Sequence, residues 1–143
     1  MATLNYCGNP PKDREEAQFR FETIFQPVLK NAGFVSITGN GNNMINKETN
    51  QIVIVTAAPS NVMIVKATGQ LIRKYRKEYE NPSITYLFTR EISDYPDGSK
   101  SIYLAKLNKI SSMNRLSGVA TGMSMLPNVV SKMKNNESFR LIA

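Results

Sequence analysis

The densest run of chemically capable side chains is Arg73-Lys74-Tyr75-Arg76-Lys77-Glu78-Tyr79. Four of its first five residues are cationic, and its two tyrosines are four apart, which places them on one face of a helix. Guanidinium forks bind phosphate in bidentate fashion, and an exposed ring can stack on a base. This spacing therefore suits a helix lying along a nucleic-acid backbone, with Arg73, Lys74, Arg76 and Lys77 on phosphates and Tyr75 and Tyr79 on bases. It suits equally a helix whose tyrosines face a core and whose charges are solvated.

A second concentration lies toward the C-terminus: Lys100, Lys106, Lys109, Arg115, Lys132, Lys134 and Arg140. Residues 1–99 carry 11 basic and 10 acidic side chains, whereas residues 100–143 carry 7 basic and 1 acidic. With so few acids nearby, these cations are not consumed by local ion pairs. A polyanion would release counterions on meeting them, giving salt-sensitive affinity without a sequence code. The bland alternative is a solubilising tail.

Other constellations are weaker. Gly39-Asn40-Gly41 has the glycines of a phosphate loop but not the Gly-Lys-Ser/Thr ending. Gly118 and Gly122, four apart, suit a loop or a loose helix. Glu91, Asp94 and Asp97 surround a turn and could in principle hold Mg²⁺, but Asp in turns is common for backbone reasons. The chain has no histidine, which removes imidazole-based acid–base catalysis, the common nucleophile–His pairs and imidazole zinc sites. Its single cysteine, Cys7, allows neither an internal disulfide nor a Cys-rich zinc site. The reading is of a non-enzymatic protein with no catalytic residue, no metal and no cofactor.

The elements that must position these residues follow from periodicity. The 143 residues suit one domain. Residues 1–12 read as an irregular arm, residues 13–110 as an α+β core and residues 111–143 as a basic segment, irregular or weakly helical. A helix begins near Asp13 and Glu16, carries an apolar stripe through Phe21, Ile24, Phe25, Val28 and Leu29, is disturbed by Pro27 and stops at Gly33. Strands are expected over residues 34–38, 44–45 and 51–57, with a hairpin turn at 46–50. The run Ile52-Val53-Ile54-Val55 suits a central strand covered on both faces. Residues 59–79 read as one helix interrupted by Gly69, with a strand over 62–65 as the alternative. Residues 84–92 and 102–107 read as a hairpin about the turn Tyr95-Pro96-Asp97-Gly98-Ser99.

The expected fold is α+β: one mainly antiparallel sheet with helices on one side, in the order α-β-β-α-β-β. The expected core includes Phe21, Ile24, Phe25, Ile52, Ile54, Val65, Ile72, Leu87 and Leu104. Tyr86, Phe88 and Tyr103 would form an aromatic face able to stack bases, although no RNP-type sequence is present.

These features favour a nucleic-acid-binding protein that holds phosphates with little sequence specificity. RNA or single strands are favoured over duplex DNA, since no helix-turn-helix or zinc pattern is evident. The alternative is a structural or assembly protein, such as a virion or shell component. There the Met-rich C-terminus (Met113, Met123, Met125, Met133) supplies contact surface for homo-oligomers. No apolar run of membrane-spanning length and no leader-like N-terminus is visible, so the expected location is the cytoplasm. The 15 asparagines alongside abundant lysine fit an AT-rich genome, a phage or other virus among them.

Overall fold

The computed structural model describes residues 18–39, 41–56, 62–92 and 97–135, with the side chains of 62–68 and 97 excepted. The described residues form one mixed five-stranded sheet and four helices. The expected arm over 1–12, the helix start near Asp13, the Pro59-Ser60 start, most of the turn at 95–99, Arg140 and the Val65 side chain lie outside this description.

The first helix shows how its sequence handles a proline. Phe21–Phe25 is a π-helical turn that runs directly into α1, Gln26–Asn31. Gln26 N–H bonds the Phe21 carbonyl five residues back, and Pro27 falls in the first turn of α1, where a missing N–H costs little. The wider turn makes room for the proline ring that would otherwise meet the carbonyl of the preceding turn. Gly33, at φ 99°, ends the helix. Its N–H bonds Lys30 O while Phe34 N–H bonds Leu29 O, a Schellman closure that seats buried Phe34 against buried Leu29.

The chain then forms a meander. Strands β1 (Val35–Ser36), β2 (Met44–Asn46) and β3 (Gln51–Thr56) pair antiparallel in turn. The β2–β3 turn is organised by Asn46, whose Oδ1 accepts the N–H groups of Glu48 and Thr49. Helix α2 (Val62–Glu78) crosses to β4 (Ser83–Phe88), and α3 (Asp97–Asn114) crosses to β5 (Gly118–Thr121). Both crossovers give parallel pairs, so the sheet order is β1-β2-β3-β4-β5, with β2 alone reversed. Helix α4 (Gly122–Lys134) closes the described chain.

Period-2 alternation separates two cores. Ile52, Ile54, Ile84, Tyr86, Phe88 and Val119 face α2 and α3, meeting Ile72, Tyr75, Tyr103, Leu107 and Ile110. Met44, Val53, Leu87 and Ala120 face α1 and α4, meeting Phe25, Leu29, Leu126 and Val129. Of the expected core, Phe21, Phe25, Ile52, Ile54, Ile72 and Leu87 are buried, while Ile24 and Leu104 pack on it half-buried.

Three expectations change. The sheet is mixed, and helices cover both faces instead of one. Residues 102–107 lie inside α3, because Tyr103, Leu107, Ile110 and Asn114 recur at helical spacing and all turn inward. Asp97-Gly98 opens that helix and does not close a hairpin. Finally, residues 118–134 form β5 and α4, integral to the core, where an irregular or weakly helical segment was expected. The single helix over 62–78 prevails over the strand alternative.

Candidate nucleic-acid interface

The apolar positions of α2 aim Ile72 and Tyr75 at the sheet, which turns the intervening cations outward. Arg73, Lys74 and Lys77 are exposed, and Arg76 is half-buried. On α3, inward Tyr103, Leu107 and Ile110 leave Lys109 exposed and Lys100 and Lys106 half-buried. Arg115, exposed, follows α3 at φ 50°. The fold thus brings eight of the ten expected cations into one layer. Residues 69–81 and 97–115 together hold eight Lys and Arg against three acids, Glu78, Glu80 and Asp97. Lys132 and Lys134 sit on α4, against the opposite face of the sheet, and do not join them.

One of the eight has a structural task. Arg76 Nη2 donates to Asn114 O at 3.1 Å and to Arg115 O at 3.2 Å. These are carbonyls at the C-terminus of α3, where a cation is electrostatically favoured. The same seam has Gly69 lying against Asn114, whose Oδ1 would be 3.0 Å from a β-carbon added there. Gly69, which reads as an interruption in the sequence, is what lets α2 and α3 approach. Asn114 itself is buried and donates to Ile110 O.

The rings are placed differently from the stacking expectation. Tyr75 is fully buried, and Tyr86 and Tyr103 are 2% exposed. Tyr75 accepts a hydrogen bond from Asn43 Nδ2 at 3.1 Å, while Asn43 Oδ1 accepts Val55 N–H, tying α2 to the tops of β2 and β3. Burial pushes the Tyr75 phenol above its usual range; the Asn43 hydrogen bond opposes this, and Tyr79 and Glu78 add to the rise. Phe88 sits between Tyr86 and Tyr103, tilted to the first and edge-on to the second, with ring centroids 4.7 Å and 5.9 Å away. The predicted aromatic face is therefore interior packing, because α2 and α3 cover it. Tyr79 is half-buried against the same cluster.

A second polar group, unforeseen from the sequence, occupies the carboxyl ends of the parallel strands, where open α/β sheets often place ligands. Arg20 Nη1 donates to Thr89 O, Gln18 and Asn42 exchange amide hydrogen bonds, and fully buried Arg90 lies between Thr89 and Glu91. Glu91 accepts Ser124 N–H and Ser124 Oγ–H, capping α4 where Thr121 supplies no side-chain bond. Glu91, an acid of the supposed turn cluster, is thus occupied as a cap. Asp94 lies outside the described residues, as does the Asp97 side chain. Among the described residues no three His, Cys, Asp or Glu side chains gather as metal ligands, and no helix is long and apolar enough to cross a membrane. The local sign of this cap is Gly122 at the first position of α4, directly after Thr121, which supplies no side-chain bond.

No family model matches the chain, and no curated protein or solved structure matches it either. Function is therefore read from the arrangement of its residues.

Proposed function

We propose that this protein is a non-enzymatic nucleic-acid-binding module that holds the phosphate backbone on the α2–α3 face with little sequence specificity. The observation that carries this is the collection, on one helical layer, of five exposed cations, Arg73, Lys74, Lys77, Lys109 and Arg115. A polyanion is the ligand that neutralises several such exposed charges at once. A preference for RNA or single strands needs exposed rings, and of the four tyrosines named only Tyr79 retains partial exposure.

The test is binding of labelled mixed-sequence RNA and DNA across a salt series. Binding at low salt that weakens steeply with added salt, and by similar factors for unrelated sequences, is the expected result. If no nucleic acid binds at low salt, the proposal fails.

A second reading is self-assembly, favoured by two exposed apolar residues on α3, Ile102 at 53% and Met113 at 58%. Met123 is also exposed, whereas Met133 is buried. Sedimentation of the nucleic-acid-free protein discriminates: a stable oligomer lost in Ile102→Ser/Met113→Ser supports assembly through α3.

A further inference from the structure

Among the described residues, the α2–α3 face has the charge of a single-strand site but, half-buried Tyr79 apart, none of its rings. Single-strand binders combine a basic groove with rings on which successive bases stack, each ring contributing about 1–3 kcal/mol per base. Here the rings of both helices are spent inward: Tyr75 and Tyr103 are in the core, and Tyr79 packs on it. The side chains that remain outermost on the two helices include Arg73, Lys74, Lys77 and Lys109, which can neutralise phosphates but offer no ring on which a base could stack.

The helices that carry these cations are fixed relative to one another. Arg76 bridges α2 to the closing carbonyls of α3, and Gly69 admits Asn114 at the same seam, so the two helices form one rigid unit. Along each axis a residue rises 1.5 Å, which sets Arg73 and Lys77 about 6 Å apart and Lys106 and Lys109 about 4.5 Å apart in height. Packed helix axes lie about 8–10 Å apart. Cations carried on two helices held in fixed register favour a ligand whose own charges are ordered and dense. A flexible single strand must lose conformational entropy to match such an array, with only half-buried Tyr79 among the described rings of this face to offset the loss. A duplex is already ordered and carries one charge per roughly 1.7 Å of axis.

From this arrangement, and resting on the reading of this face as a nucleic-acid surface, we infer that its ligand is the phosphate backbone of a double helix, bound along α2 and α3 without base contacts. DNA and RNA duplexes share that chemistry and differ in groove dimensions.

The experiment compares a labelled mixed-sequence duplex with each of its separated strands, as DNA and as RNA, across one salt series. Parent protein is run beside a variant in which Arg73, Lys74, Lys77 and Lys109 are all Ala. All four are exposed, so far-UV circular dichroism and thermal midpoint should be unchanged. Duplex in at least one of the two forms should bind about tenfold tighter than its strands, since no fully exposed ring among the described residues of this face is offered for stacking. The DNA and RNA arms then show which helical form the spacing fits. The variant should flatten the slope of log affinity against log salt by about 0.9 for each duplex phosphate it no longer neutralises. Strands that bind as tightly as both duplexes overturn the inference and leave nucleic-acid binding standing. Absence of binding by every form overturns the functional reading itself. A folded variant with the parent's affinity and slope removes this face as the surface.

Discussion

The Glu91 carboxylate closes the N-terminus of α4 through Ser124, accepting its N–H at 2.8 Å and its Oγ–H at 2.7 Å. A side chain from beyond β4 therefore does what a local capping residue usually does, and it joins the ends of two adjacent structural units. Gly122 makes this arrangement possible. At φ 66° it adopts a conformation that L side chains resist, and an added β-carbon would run into the Glu91 carboxylate. Gly122→Ala should cost about 2–4 kcal/mol from backbone strain and a displaced cap, and Glu91→Ala about 1 kcal/mol. Chemical denaturation measures both. A Gly122→Ala protein as stable as the parent would show that the cap is not formed as described.

Arg76 and Lys77 are neighbours in sequence with different tasks. Removing the Arg76 bridge to Asn114 and Arg115 should lower stability by about 1–2 kcal/mol in Arg76→Ala. Lys77→Ala, at an exposed position, should stay within about 0.5 kcal/mol of the parent. Equal destabilisation by the two substitutions contradicts the bridge.

Tyr75 predicts an alkaline limb in stability. Its phenol is raised above 10.0 in the native state, chiefly by burial. Below the unfolded value both states hold the proton, and its contribution is fully present. Above about pH 10 the unfolded chain releases the proton while the native state keeps it, so stability falls with rising pH. Subtracting the profile of Tyr75→Phe from that of the parent should leave a difference that is flat at neutral pH and declines above about pH 10. Profiles that stay parallel throughout would place Tyr75 outside the core.

No hydrolysis of nucleic acid is expected, with or without Mg²⁺. The chain has no histidine, and Glu91 is engaged at Ser124. Incubation of labelled single and double strands with the protein should leave them intact. Metal-dependent cleavage that disappears in Asp94→Ala or Asp97→Ala would reverse this conclusion.

What the sequence determined by itself was local. The continuous run Ile52-Val53-Ile54-Val55 announced a strand covered on both faces, Gly33 announced the end of α1, and Asn46 to Asn50 announced a hairpin, because each depends on the preferences of a few adjacent residues. The basic character of 73–77 was equally plain. Tertiary structure alone decided which partner each element took. The Pro-Asp-Gly signal suggested a hairpin, but 102–107 gained more by burying Tyr103, Leu107 and Ile110 along one helical face. Four small residues at 118–121 became a strand only because β4 offered a parallel edge beside them. The same docking decided the candidate site. Covering the sheet with α2 and α3 turned Tyr75, Tyr86 and Tyr103 inward, while it assembled cations from two distant segments on a single surface. Exposure is a property of what packs on a residue, and no local pattern contains that information.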